Sequence, residues 1–308
     1  MTGGLSDAGK VTYLIANYNR AAYVGDCIAS LKAQTDPRWL AIVVDDASTD
    51  HSVGRITALL DHRIRLVANS ENLGYIATLE RLISEATTDI VAILDADDAI
   101  EPETTAELRR QYEANPSAVL VFSRFAEYDE TLTRRLGTYG GCIPNYGTAI
   151  IDGPIGAIRS FRRSAYAMTD GLDHTMNYAE DRDLVYKLEE LAPPVFIDRV
   201  LYRYRSVRDS QVRDPSKREI GLINARRARR GALDRRGIRG PARLAAEWAI
   251  SCDYIASSGR YPSVAKTVAS FLGPLAAMAW RKLGVGLRNS ELPTMEPQQR
   301  TTKLGAGS

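Results

Sequence analysis

Ile90–Asp98 reads IVAILDADD, five apolar residues that end abruptly in an acidic turn. A run this short and this apolar reads as a strand buried on both faces. Acids at the carboxyl end of such a strand mark a ligand-binding edge, because parallel sheets bind their ligands there. Three similar runs lie upstream: Val11–Ala16 (VTYLIA), Trp39–Val44 (WLAIVV) and Ile64–Ala68 (IRLVA). Between them the apolar spacing turns helical, over Ala21–Gln34 with Ala22, Ile28 and Leu31 on one face, and over Tyr75–Ala86. A third helix is expected from a Ser48 cap to about Leu60, and Pro102 suits the first position of a fourth. Apolar strands alternating with helices of this length predict an α/β fold, a mainly parallel Rossmann-like sheet flanked by helices.

Beyond Ala118 the texture changes. Ala118–Ser123 and Thr148–Ile158 read as strands, joined by the glycine-bearing stretch GTYGGCIPNYG. Glu180–Leu191 reads as a helix, and Val195–Ile197 and Leu201–Ser206 as short strands. From Lys217 the pattern is helical, with breaks expected at Gly237–Pro241, Gly259–Pro262 and Gly273-Pro274. The organisation expected is a flexible N-terminus (1–9), a catalytic domain (10–210), a helical extension (211–288) and a disordered tail (289–308). The catalytic domain divides into a nucleotide-binding half (10–100) and an acceptor half (101–210).

With 308 residues, 44% of them hydrophobic, the chain is neither disordered nor a disulfide-stapled miniprotein. Its three cysteines are far apart, which argues against a disulfide framework and a zinc site. Without an apolar leader, the expected setting is the cytoplasm, extended to the inner face of the membrane by the basic helices below. The net charge of +2 hides segregation. Residues 1–198 carry 18 basic and 30 acidic side chains, whereas 199–243 carry 15 and 4. Arg226, Arg227, Arg229, Arg230, Arg235, Arg236 and Arg239 fall on one helix and its end. They read either as a solvated face packed on the acidic body or as a peripheral membrane contact. No aromatic platform accompanies them, so no nucleic-acid partner is expected.

The expected strand ends carry Asn17-Tyr18-Asn19, Asp45-Asp46, Glu71-Asn72-Leu73-Gly74 and Asp95-Ala96-Asp97-Asp98. Five carboxylates in two of these segments repel one another unless a cation joins them. Hard oxygen ligands favour magnesium or manganese, which commonly arrives with a ligand's phosphates and so implies a nucleoside-diphosphate compound. Taken singly, each piece also reads as a turn, a solvated loop or a helix cap. Their order on successive strand ends is what joins them.

YLIANYNR, VVDDASTD, ENLGYIATLE, AILDADD and EDRDL follow one another over residues 10–206, and as a set they resemble an inverting family 2 glycosyltransferase with the GT-A fold. One departure is Ala16, where the family's opening turn usually has proline. The resemblance implies that Asn17 and Tyr18 line the base pocket, and that Asp46 accepts a hydrogen bond from the base. It also implies that Asn72 and Gly74 shape the loop beside the nucleoside, and that Asp95 touches the ribose. Asp97 would hold the metal, with Asp98 in support. Asp181 would be the general base, and Glu180 its neighbour at the acceptor. The basic loop after residue 203 would close over the donor phosphates through Arg205 or Arg208. The donor implied is a UDP-sugar, then a dTDP-sugar, and the acceptor a glycan, a lipid-linked sugar or a small molecule. His174, just before Glu180, is a candidate acceptor contact. Two rival classes remain at this stage: a sugar-nucleotide nucleotidyltransferase, whose glycine-rich first loop is missing at Ala16–Arg20, and an inactive nucleotide-sugar-binding protein.

Overall fold

The computed structural model describes residues 9–143, 148–152, 155–207, 214–258 and 263–283. Its first half follows the apolar runs closely. Strands β1 (Val11–Asn17), β2 (Trp39–Asp45), β3 (Ile64–Ala68) and β4 (Ile90–Ile93) pair in parallel in the order β3-β2-β1-β4. Helices α1 (Val24–Lys32), α2 (Ser52–Ala58) and α3 (Tyr75–Glu85) connect them. Side chains alternate between two cores, one on each face of the sheet. Val11, Tyr13 and Ile15 face α1 and α2, whereas Leu14, Ile42 and Val44 face α3. This double burial explains why the strands lack polar alternation.

Past β4 come the short strand β5 (Ala99–Ile100), helix α4 (Thr104–Ala114) and strand β6 (Leu120–Tyr128). They are followed by β7 (Arg135–Tyr139), the short helix α5 (Ala149–Asp152), β8 (Arg159–Arg162) and the single-turn α6 (Arg163–Tyr166). Helix α7 (Glu180–Glu189) and strand β9 (Val195–Arg205) complete the α/β part of the chain. Here the sheet is mixed: β8 is antiparallel to β4 and β6, β6 runs parallel to β9, and β9 pairs antiparallel with β5. The extension adds α8 (Pro215–Arg235), α9 (Gly240–Ser257) and α10 (Ser263–Lys282).

Several expectations are corrected. Residues 148–152 and 155–158 form no strand: the Glu189 carboxylate accepts from the Thr148 hydroxyl (2.7 Å) and the Ala149 N–H (2.8 Å), and this cap starts α5 instead. The two short strands expected at 195–206 are one strand, bulged where it passes Ser123–Phe125. Ser48 caps no helix, because its hydroxyl is bonded to Asp45 and α2 begins at Ser52. Pro102 lies in the turn before α4 rather than in its first turn. Helix α10 runs through Gly273-Pro274 without a break, and Pro274 is on its exposed side, where water can serve the carbonyl left unpaired. Residues 1–8, the tail and Arg208 lie outside the described residues.

Candidate active site

The ends of β1 and β2 are stitched together by Asp45. It is buried and accepts from Asn17 Nδ2 (2.7 Å), the Ser48 hydroxyl (2.6 Å) and the Ser48 N–H (2.9 Å). Asp46, the next residue, takes other partners. Its Oδ1 accepts from Asn69 Nδ2 (2.7 Å) and the Leu73 N–H (2.9 Å), and its Oδ2 from the Gly74 N–H (2.9 Å). The second acid therefore orders the loop that carries Asn72 and Gly74. Gly74 opens α3 at φ +84°, a conformation that requires glycine. Tyr18 and Asn72 are exposed, while the buried Asn17 Oδ1 has no partner among the described residues.

The three acids after β4 have three different environments. Burial is the main influence raising the Asp95 carboxyl to about 6; Arg159 opposes it, and Asp97 and Asp181 add to it. Asp97 is bound by Arg20 Nε at 2.9 Å. Asp98 turns inward, fully buried, and accepts from the Tyr202 hydroxyl (2.7 Å) and the Arg205 N–H (2.7 Å). Its expected support of the metal is thus replaced by a bracket between the acidic turn and β9. Burial, with the charges of Asp97 and Asp95, pushes its carboxyl well up.

Arg205 is also corrected. Only 3% exposed, it pairs with Asp26 (2.8 Å), donates to the Asp97 and Glu130 carbonyls, and lies over the Tyr23 ring at 5.0 Å. A guanidinium so occupied cannot close over phosphates; it bolts the acidic turn to α1. Arg205→Met keeps the stem but strips these bonds, and should cost about 3 kcal/mol of stability, read from the urea midpoint. Lost nucleotide affinity at unchanged stability would restore the phosphate role.

Opposite the acidic turn stands the start of α7. Asp181 Oδ2 accepts from Arg159 NH1 at 2.6 Å. Burial alone would lower the Arg159 guanidinium, but Asp181 and Asp95 raise it. Arg159 thus joins the two carboxylate groups, a role that no nearby sequence pattern signals. Glu180 is pushed up to about 7, mainly by burial and then by the charge of Asp181, and its Oε2 is buried without a partner among the described residues. Burial first, and then the charges of Asp95 and Glu180, push the Tyr75 hydroxyl well up. His174 pairs with Glu80 at 2.9 Å, which accounts for it without an acceptor.

Charge segregation resolves into ion pairs. Arg227 meets Asp173, Arg229 meets Asp253, Arg230 meets Glu247, Arg235 meets Glu190, and Arg236 meets Glu189. Asn224 donates to the Asn177 carbonyl, and a side chain at Gly221 would come within 3.0 Å of the Tyr178 carbonyl. Helix α8 therefore clamps the loop before Glu180, with Arg227, Arg235 and Arg236 on the acidic body and Arg229 and Arg230 turned to α9. Among the described residues, no helix is long and apolar enough to cross a membrane.

The metal implied at the strand ends can be tested against these donors. Among the described residues, no three His, Cys, Asp or Glu side chains are grouped to cage an ion. Two hard carboxylates, Asp95 and Asp97, lie at the open edge, one of them desolvated and raised. That donor set is too small for a resident ion but fits one that brings phosphate oxygens with it.

A family model for glycosyl transferase family 2 matches residues 12–168, half of the chain. EpsH of Bacillus subtilis is 27% identical over 210 residues, 63% of this chain and 60% of EpsH. The Glycosyltransferase GlyG of Streptococcus pneumoniae is 29% identical over 124 residues, 39% of this chain and 40% of GlyG. The chain thus spans 60% or less of the length of these relatives. Two solved structures share the fold across most of the chain. TarS 1–349 of S. aureus, in complex with UDP-GlcNAc, has a TM-score of 0.57 at 13% identity, covering 89% of this chain and 90% of that one. The mannosyltransferase PcManGT of Pyrobaculum calidifontis, in complex with GDP-Man and Mn2+, has a TM-score of 0.56 at 16% identity, covering 90% and 87%. The mixed sheet with its acidic strand ends has the GT-A arrangement, and the chain belongs to glycosyl transferase family 2.

Proposed function

We propose that the chain transfers a sugar from a nucleoside-diphosphate sugar to an acceptor hydroxyl, with inversion at the anomeric carbon. The observation that carries this reading is the meeting of Asp95 and Asp97 on one side with Asp181, held by Arg159, on the other. The relatives that bind UDP-GlcNAc and GDP-Man support the donor class. UDP is the first choice and dTDP the second.

In the proposed step, the acceptor oxygen attacks the anomeric carbon while its proton passes to the Asp181 carboxylate. The bond from that carbon to the β-phosphate oxygen breaks, and its electron pair leaves with the diphosphate. Arg159 fixes the orientation of Asp181, and Asp46 holds the loop beside the nucleoside, where it would also accept from the base. Asp97, which pairs with Arg20 in this structure, would hold a Mn2+ or Mg2+ that accompanies the donor's diphosphate. When bound, that ion supplies Lewis-acid stabilisation of the departing diphosphate. Glu180 contacts the acceptor.

The test is release of nucleoside diphosphate from UDP-, dTDP- and GDP-sugars in the presence of Mn2+. Diphosphate release from one nucleotide class supports the reading. Pyrophosphate exchange would replace it with nucleotidyl transfer, and a thermal shift without turnover across an acceptor panel would leave only a binding protein.

A further inference from the structure

Beyond the acidic turn, one face of the sheet carries a row of aromatic rings that runs from buried Tyr202 out to exposed Tyr139. Phe125 on β6 pairs across the sheet with Tyr139 on β7 and with Tyr202 on β9; Glu127 pairs with Gly137 and with Tyr204. Residues two apart share a face, so Phe125, Glu127, Gly137, Tyr139, Tyr202 and Tyr204 stand together. Tyr202, at the buried inner end of this row, donates to Asp98 and so ties the row to the acidic turn. The Tyr204 hydroxyl, half-buried, is raised first by burial and then by Asp98, Asp97 and Asp95.

The rings are held in a defined arrangement. Phe125 stacks on Tyr139 with centroids 5.4 Å apart and planes 27° apart, and it meets Tyr204 edge-on at 6.1 Å. Tyr139 lies back over Gly137, where an added Cβ would come within 2.8 Å of its hydroxyl. That hydroxyl donates to Glu127 at 3.2 Å. Tyr139 is nonetheless 48% exposed, although an aromatic that served packing alone would gain by being covered. A flat apolar ring rimmed by a carboxylate acceptor matches one chemistry in particular. A pyranose presents an apolar C–H face and a rim of hydroxyl donors. The platform spans two strand spacings, about 10 Å, from β9 to β7. That is longer than the single sugar that reacts.

Resting on the transferase reading above, we propose that Tyr139, Phe125 and Glu127 form an acceptor subsite that stacks a sugar ring behind the reacting one, so that the acceptor is an oligosaccharide.

The probes are cello-, malto- and chito-oligosaccharides of one to four sugars. Binding to the full chain is followed by saturation-transfer NMR, and turnover by diphosphate release above donor hydrolysis. In the best series, the wild type should favour longer members over the monosaccharide by about tenfold. Tyr139→Ala should raise the KM of the longer member about tenfold and remove that preference, with the donor KM within twofold. Gly137→Val, which displaces the ring without deleting it, should do the same, and Tyr139→Phe should retain most of the preference. A length preference that survives Tyr139→Ala overturns the subsite, as does a wild type that binds no member of the panel. Donor hydrolysis separates the two failures: if it persists in the wild type, only the subsite falls, and if it is absent, the transferase reading falls with it.

Discussion

Asp181→Asn should lower sugar transfer by about 10²–10⁴-fold while leaving nucleoside-diphosphate affinity within a fewfold. The change is nearly isosteric and keeps a carbonyl that Arg159 can reach, so the start of α7 stays in place. What disappears is the group that takes the acceptor proton. Glu180 is the competitor, because burial has brought it to about 7, where a general base works well. The two are separated by Glu180→Gln, expected to cost less than tenfold, and by the pH profile. Glu180 is neutral below about 7 and anionic above it, and only the anion can accept hydrogen bonds from the acceptor through both of its oxygens. Transfer should therefore rise as pH increases through about 7 in the wild type, and that step should vanish in Glu180→Gln. Substantial activity in Asp181→Asn with none in Glu180→Gln would exchange the two roles.

The parallel half of the fold was legible because β1, β2 and β4 are nearly pure apolar runs, and burial on both faces leaves no other use for one, whereas β3, at the sheet edge, keeps Arg65 and a partly exposed face. The acids were legible for the same reason, since the end of such a run leaves a polar residue at the binding edge. What the local pattern could not reveal depends on distant partners. Helix α5 exists because Glu189, 40 residues away, caps it. β7 is an edge strand, RLGTY, with a mostly exposed pattern, and reads as loop until β6 is beside it. Arg159 sits in RSFR, a segment whose spacing carries no catalytic signal; only the 2.6 Å bond to Asp181 gives it a role. The resemblance implies a phosphate role for Arg205, yet that residue is buried and engaged with Asp26 and two carbonyls, which no local pattern reveals. The same limit applies to the basic helix, whose arginines were visible while their carboxylate partners on α7 and α9 were not.

Asp97 and Asp98 are adjacent acids for which the structure predicts opposite phenotypes. Asp97 stands at the open edge with a guanidinium as its partner, a contact that a cation carried by a diphosphate can replace. Asp97→Asn should therefore lower transfer about a hundredfold or more and raise the Mn2+ concentration for half-maximal rate, with little change in stability. Asp98 has spent both oxygens on Tyr202 and the Arg205 N–H inside the protein. In Asp98→Asn only one of those donors can be accepted, because the amide nitrogen is itself a donor and faces the other. That mismatch should cost about 1–3 kcal/mol of stability, while the folded fraction keeps its Mn2+ half-saturation. A paired measurement of urea midpoint and Mn2+ titration reads both variants. If Asp98→Asn shifts the metal dependence and Asp97→Asn only the midpoint, the inward acid is the ligand after all. The outward pairing of Asp97 with Arg20 would then be the structural contact, since a carboxylate cannot serve a buried bracket and an incoming ion with the same lone pairs.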